Sequence, residues 1–474
     1  MNKKNNPSQA ELFDTHAHLG FKQLKKNIAD VIERAEKAGV TRIVSIGAGD
    51  DIEGNDMALE VARAHENVWA TVGVHPHDAS LVDDRVLEYL AELSNDAKVV
   101  AWGEIGLDFY RDHSPRDTQK KVFWDQLKLA RELDLPVIIH DRDAHTETMD
   151  TLKRFFRTVP KSSSPVGIMH CFSGDAAMAR EIIDLDFIIS IPGVVTFRNA
   201  RKLVEVVKET PIEKMVIETD CPFLTPEPHR GKKNEPAYVR FVAEKIAEIK
   251  DLAFEDVARI TTANAMDVYR LDSGKKKPAL TYEMKGNLYL NISNKCNNKC
   301  TFCPKHTTGT VKGHYLLLDK EPDADRIIAE IRDPEKYPEV VFVGLGEPTL
   351  RIKVLKKTAK WLKSKGARVR LDTDGLANMV YGRDVTADLK GLIDAVSVSL
   401  NAPDAKTYEK LCRPSHGQAA YYAVLDFLKD AKKNIPEVTA TVVALPGLDV
   451  EACRKVAEDI GVKFRVRKYI EPDR

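Results

Sequence analysis

At 474 residues the chain exceeds what one hydrophobic core can organise, and two domains are expected. Hydrophobic residues at 43% and charged residues at 30% describe a globular protein and exclude a disordered or fibrous one, and the lack of any apolar run of about eighteen residues argues against a membrane span. The net charge is zero, yet residues 283–474 hold 33 Lys and Arg against 26 Asp and Glu and the remainder 39 against 46, so the second half either favours an anionic partner or carries solvated helix faces.

The polar start, Met1 to Gln9, has no leader-like apolar segment, and the seven cysteines are odd in number and unevenly spaced. Both features predict a reducing, cytoplasmic setting. From there, short apolar runs alternate with amphipathic stretches. Strands are predicted at Leu12–Leu19, Thr41–Ala48, Val68–His75, Val99–Leu107, Pro136–His140, Gly167–Phe172, Phe187–Val195 and Lys214–Asp220. Helices such as Ile28–Ala38, Gln119–Leu133 and Ala200–Lys208 fall between them, and Ala237–Ile249 and Phe254–Tyr269 follow. Eight βα units predict a closed TIM-type barrel over residues 1–271.

Residues 272–283 begin with Asp-Ser-Gly-Lys-Lys-Lys-Pro, which favours neither helix nor buried strand, and are predicted to be a linker. The alternation then restarts, with strands near Leu288–Ser293, Val340–Leu345, Arg368–Thr373, Ala395–Leu400, Val438–Ala444 and Lys463–Tyr469. Six units over 284–474 predict a partial barrel, and the whole chain is α/β.

Catalytic groups of such barrels sit at the carboxyl ends of the strands, where this sequence places its histidines and carboxylates. His16 and His18 end the first strand on one face, Glu104 lies on the fourth, His140 closes the fifth, His170 the sixth and Asp220 the eighth. Imidazole and carboxylate together suit zinc, manganese or magnesium. A shared carboxylate holds two ions about 3.5–4 Å apart for displacement at phosphorus. Glu104 and Asp220 are the expected catalytic carboxylates. Arg230, in the loop after the last strand, reads equally as a phosphate clamp or a surface arginine; His75 and His77 either contact substrate or shape the rim, and Asp108 stands as a supporting partner. Cys171 and Cys221 each follow a ligand, so alternation turns them away from the mouth.

The motifs Asp14-Thr-His-Ala-His-Leu19, Gly73-Val-His-Pro-His77, Gly103-Glu-Ile-Gly-Leu-Asp108, Val137-Ile-Ile-His140, His170-Cys-Phe-Ser-Gly174 and Glu218-Thr-Asp-Cys-Pro222 resemble the TatD family of deoxyribonucleases across residues 11–270. The resemblance implies that His16, His18, Glu104 and Asp220 hold one divalent ion and that Glu104, His140 and His170 hold another. It also implies a nuclease acting on DNA and sometimes RNA. Such a mouth can equally attack an ester or amide, for example in aminoacyl-tRNA, and a non-catalytic scaffold is the third reading.

In the second half, Cys296, Cys300 and Cys303 follow directly on a strand. Zinc sites take four ligands, commonly in pairs, and no fourth stands at suitable spacing, although His306 and His314 are near. The CxxxCxxC spacing resembles the radical S-adenosylmethionine superfamily, specifically a TatD-linked member. That resemblance implies a four-iron four-sulfur cluster on the three cysteines, with Phe302 against the adenine. Val343-Gly-Leu-Gly-Glu-Pro-Thr-Leu350 resembles the superfamily's glycine-glycine-glutamate motif, with Leu345 in place of the first glycine. Gly346, Glu347, Thr373, Ser399 and Asn401 are the implied S-adenosylmethionine contacts, and a reductant such as flavodoxin or ferredoxin is the implied partner. Cys412, in Leu-Cys-Arg-Pro, is expected in a loop, either facing the cofactor or, as the preferred reading, merely exposed.

Overall fold

The computed structural model describes residues 10–49, 51–157, 164–271 and 278–469. The chain divides into two compact units, Met1–Lys275 and Lys276–Arg474.

The first unit contains eight parallel strands in sequential order: β1 (Leu12–Ala17), β2 (Val40–Ser45), β3 (Val68–Val72), β4 (Val99–Asp108), β5 (Val137–Arg142), β6 (Gly167–Met169), β7 (Phe187–Ile191) and β8 (Met215–Ile217). The ring closes just past β8. There the Asp220 N–H donates to the His16 carbonyl at 2.9 Å and the His18 N–H to the Cys221 carbonyl at 2.8 Å. Every residue of β4 is buried, because strands with helices outside and side chains in the lumen read as continuous apolar runs.

Phe13, Val44, Val100, Ile138, Ile168, Ile188 and Val216 meet in the lumen as a floor. Beneath them lie Ala265 and Val268 of the helix Phe254–Val268, followed by Tyr269, whose buried hydroxyl donates to the Thr15 carbonyl at 2.8 Å. Neighbours of opposite parity, such as Ile139, Met169 and Ile217, pack outward in the main core. Two residues above the floor, with the same parity, stand His140, His170 and Glu218. On β1 the register against β2 shifts between Asp14 and Ala17, which lets His16 join them.

All eight expected strands are present, but several stop early. β1 ends at Ala17, β3 at Val72, β6 at Met169 and β8 at Ile217, leaving His18, His75, His170 and Asp220 on the turns that follow. The apolar pattern runs on because Leu19, Val74 and Phe172 are buried where those turns fold back over the barrel.

In the second unit the strands are β9 (Thr281–Met284), β10 (Asn287–Asn291), the short pair β11 (Thr310–Val311) and β12 (His314–Tyr315), then β13 (Val340–Val343), β14 (Val369–Thr373), β15 (Ala395–Ser399), β16 (Glu437–Ala444) and β17 (Lys463–Lys468). The main sheet runs β17-β16-β15-β14-β13-β10-β9, its six expected strands parallel and in chain order. It is the partial barrel, open between β17 and β9. Alternate residues Leu290, Phe342, Leu371, Val396, Val398 and Val442 face the helices.

Part of the predicted linker needs correction. Residues 272–277 lie outside the described residues, but Thr281–Met284 form β9, antiparallel to β10. The turn is Lys285-Gly286 with φ of 50° and 76°, a two-residue hairpin loop with left-handed backbone at both positions. Among the described residues no helix is long and apolar enough to cross a membrane.

Candidate metal centre and cysteine loop

Glu104 is the hub of the first site. Its Oε1 lies 2.6 Å from His140 Nδ1, 2.9 Å from His170 Nε2 and 3.7 Å from His75 Nε2. Its Oε2 lies 3.4 Å from His16 Nε2 and 3.9 Å from His18 Nε2. Asp220 Oδ1 completes the other side, 3.3 Å from His18 Nε2 and 3.8 Å from His16 Nε2. Three ligand-atom triads result: His16–Glu104–His170, His16–His18–Asp220 and His75–Glu104–His140.

Both nitrogens of His16, Nδ1 of His18 and of His170, and Oε2 of Glu218 are buried without a hydrogen-bond partner. Leaving so many buried polar atoms unpaired in one pocket is costly unless a cation takes the lone pairs, so the donor set fits divalent metal. The residues around it aim the ligands. Asp108 reaches His140 Nε2 at 3.3 Å and His77 Nε2 at 2.9 Å; Glu218 reaches His170 Nδ1 at 3.3 Å and accepts the Cys171 N–H at 2.7 Å. Asp14 accepts from the Thr219 amide and hydroxyl, tying β1 to the turn that carries Asp220.

Charge in the pocket is shared unevenly. Burial pushes the Glu104 carboxyl up, but the His170 charge and the close His140, His16 and His170 imidazoles hold it well below the usual range. Burial pushes His140 down, and hydrogen bonds to Asp108 and Glu104 overcome it, raising His140 to about 9. Burial and the neighbouring His170 keep His16 low, and burial and His140 keep His75 low, so both are neutral ligands in waiting. Burial dominates at Asp14 and raises it to about 8.

Several expectations are regrouped. His75, expected at the substrate, comes within ligand range of Glu104 and His140. His170 lies within ligand range of His16 and Glu104, its ring stacked on His16 at 3.8 Å, and it shares Glu104 Oε1 with His140. His77 stays at the rim on Asp108. Arg230 lies 4.0 Å over the Phe197 ring with one N–H on the Thr225 carbonyl, exposed and free of carboxylates among the described residues. Cys221 is buried, and Cys171 is half-buried, with its N–H on Glu218 and a left-handed φ of 43°. The sequence reading assigned no role to Glu218 or Asp14; their one signal was lying inside the quoted motifs.

In the second unit the loop after β10 carries Cys296, Cys300 and Cys303, all free thiols and half-buried. Lys299 and Thr301 N–H groups bond the Cys412 and Leu411 carbonyls, which holds the loop's shape. Gly346 sits where a Cβ would overlap the Ser293 and Lys295 carbonyl oxygens, so only glycine lets the β13 turn approach the cysteine loop. The Glu347 N–H donates to Lys295 at 2.6 Å, and its buried carboxylate accepts from Thr349, Thr373 and the Asp374 N–H.

Ser399 accepts from Arg467, Asn401 offers Nδ2 to Cys412 Sγ at 3.8 Å while its Oδ1 is buried and unpartnered, and Phe302 packs half-buried against the helix-facing core. Cys412, expected to be exposed, is buried against Cys300, because it ends a helix that packs under the loop.

A barrel with carboxylate-bridged histidines, joined to a partial barrel with a cysteine loop, defines a metal-dependent hydrolase linked to a radical enzyme. The chain belongs to the TatD-related DNase family, whose model matches residues 13–270, and residues 290–460 match the radical SAM superfamily. It is 48% identical over 261 residues to an uncharacterized metal-dependent hydrolase, YabD, of Bacillus subtilis strain 168, covering 55% of this chain and 100% of that one. It is 35% identical over 266 residues to a 3'-5' ssDNA/RNA exonuclease TatD of Salmonella typhimurium, covering 55% and 99%. Among solved structures, the TatD homolog YJJV from Escherichia coli K12 aligns with a TM-score of 0.52 at 29% identity, covering 56% of this chain and 100% of that one. Both halves are enzymatic, and their families imply divalent cations in the first and an iron–sulfur cluster with S-adenosylmethionine in the second.

Proposed function

We propose that the first barrel hydrolyses phosphodiester bonds of DNA, and of RNA, using two divalent cations held by His16, His18, His75, Glu104, His140, His170 and Asp220. The observation that carries this reading is the shared Glu104 carboxylate, with imidazoles against both of its oxygens. Bound there, magnesium, manganese or zinc would lower the pKa of a water and screen the charge that grows on the phosphoryl oxygens. The chain's own residues do the rest. Asp220, 13% exposed at the rim, takes the proton from the attacking water, and Glu104 stays ionised because of the imidazoles around it. Arg230, splayed over Phe197 without an acidic partner, offers its free N–H groups to a substrate phosphate. His77, held by Asp108, lines the entry.

The relative named as an ssDNA/RNA exonuclease supports nucleic acid over an ester substrate. Incubating the manganese-loaded chain with single-stranded DNA and with aminoacyl-tRNA in parallel tests this. Nucleotide release from DNA alone is expected, and deacylation without nucleotide release would replace the nuclease by an esterase.

The partial barrel reductively cleaves S-adenosylmethionine, with an electron from flavodoxin or ferredoxin. Cys296, Cys300 and Cys303 would hold three irons of a four-iron cluster, which supplies the electron that splits the sulfonium carbon–sulfur bond. Glu347, fixed by Thr349, Thr373 and Asp374, shapes the turn beside the cysteine loop, and Ser399 and Asn401 stand at the next strand end for the nucleoside. Anaerobic iron and sulfide analysis tests the assignment, and a colourless zinc protein would remove it.

A further inference from the structure

The partial barrel has a charged interior that adjoins one implied cofactor contact, Ser399, and extends beyond it. In β15, Val396 and Val398 are buried against the helices, so Ser397 and Ser399 face the lumen. In β17, Phe464 packs toward the helix Val450–Ile460, with the Arg454 guanidinium 4.8 Å over its ring, so Arg465 and Arg467 face the lumen too. Arg465 Nη2 donates to Ser397 Oγ at 3.0 Å; Arg467 Nη2 donates to Ser399 Oγ at 3.1 Å and Thr441 Oγ1 at 3.2 Å. Hydroxyls occupy one nitrogen of each fork and leave the others available.

The contrast with neighbouring bases is informative. Arg370, on β14 in the same lumen, is paired with Glu339 at 3.4 Å and Asp372 at 3.5 Å. Lys463, on β17 itself, is paired with Glu437 at 3.2 Å. Among the described residues, Arg465 and Arg467 have no carboxylate within ion-pair distance, although both are solvent-accessible. Edge strands often carry basic residues merely to deter pairing. Such residues point off the edge, whereas Arg467 reaches inward across β16 to β15. Its register partner is Val443, near the carboxyl end of β16, and Asp372 and the Cys300 thiol lie within its electrostatic reach. The two forks therefore stand on the reaction side of the lumen.

We propose that Arg465 and Arg467 form a phosphomonoester-binding site, so that the substrate of the partial barrel is a small phosphorylated molecule. Two guanidiniums two residues apart on one strand match a dianion, whereas a lone carboxylate is served by one fork. A 5'-mononucleotide fits this class, and it is what a phosphodiester hydrolase releases. The proposal rests on the radical reading of this unit only for what happens after binding.

The test is calorimetric titration of the full chain, in the Glu104→Ala background so that the first barrel's cations hold no phosphate. The probes are thymidine 5'-monophosphate, thymidine, inorganic phosphate and acetate. Thymidine 5'-monophosphate and inorganic phosphate should bind, and thymidine and acetate should not. Arg465→Gln and Arg467→Gln should each weaken phosphate binding by about tenfold or more. Arg465→Lys should weaken it less, and S-adenosylmethionine binding of the Arg465→Gln variant by equilibrium dialysis should stay within about twofold. Unchanged phosphate binding in the folded double glutamine variant, checked by iron content and circular dichroism, overturns the proposal. So does loss of S-adenosylmethionine binding in place of phosphate binding, which would give the guanidiniums to the cofactor's carboxylate. A chain that takes up no iron removes the radical reading, while the titration still decides the phosphate site.

Discussion

Replacing Glu104 by Gln probes the first site at its most shared atom pair. The side chain is 3% exposed, with Oε1 within 3.7 Å of three imidazoles and Oε2 within 3.9 Å of two more. Glutamine keeps the volume but removes the charge, and it turns one oxygen into a donor facing nitrogens that must stay unprotonated to bind metal. Losing one ligand shared by two ions, in a water-poor pocket, should cost at least what an oxyanion-hole donor costs. A fall in turnover of about 10³-fold or more is expected, with the metal content falling as well. The assay is release of acid-soluble nucleotide from single-stranded DNA with manganese, alongside metal analysis of the dialysed chain. Cleavage within about tenfold of the parent, with both ions retained, would refute the bridging role.

Metal removal should expose a pH dependence. His140 is raised to about 9 in the metal-free pocket, so its contribution to stability is full below about 6.5 and fades as pH rises through about 9. Melting of the chelated chain across that window should show the loss, and binding of added manganese should release protons, measured by calorimetry in buffers of different ionisation enthalpy. Gly346→Ala should cost about 1–3 kcal/mol and reduce iron loading, because the new methyl meets the Ser293 and Lys295 carbonyls; thermal melting and iron analysis check it. Cys412→Ala should keep the cluster and Cys296→Ala should lose it, read from the absorbance and iron content of reconstituted protein. A colourless C412A chain would make Cys412 a ligand.

Much of this architecture was legible because buried parallel strands leave a plain trace. Val99–Asp108 and Val340–Val343 are apolar runs bounded by turns, and both appear where the pattern put them. The convergence of His16, His140 and His170 on Glu104 was legible from their positions at strand tips. His75 was not assigned as a ligand because Val74 and the turn after β3 continue the apolar pattern while the ladder has already ended, so position gives no direction for the ring. The left-handed backbone at Cys171 was not legible, because nothing in His-Cys-Phe-Ser announces a positive φ. β9 was hidden by the lysine run before it, although the Lys285-Gly286 turn was its available signal. Arg465 and Arg467 look like any basic edge until β15 supplies the hydroxyls that draw them inward.

The hydroxyl of Tyr269 on the Thr15 carbonyl marks where the first barrel becomes self-sufficient. Once this tyrosine and Leu271 just after it have left the ribosome, every residue of the floor cluster is out, so hydrolase folding can finish before Cys296 emerges to meet iron. A chain cut short of that residue would leave Phe13 and Val268 facing water at an unplugged base. One cut just beyond it should still bind manganese through His16 and Glu104.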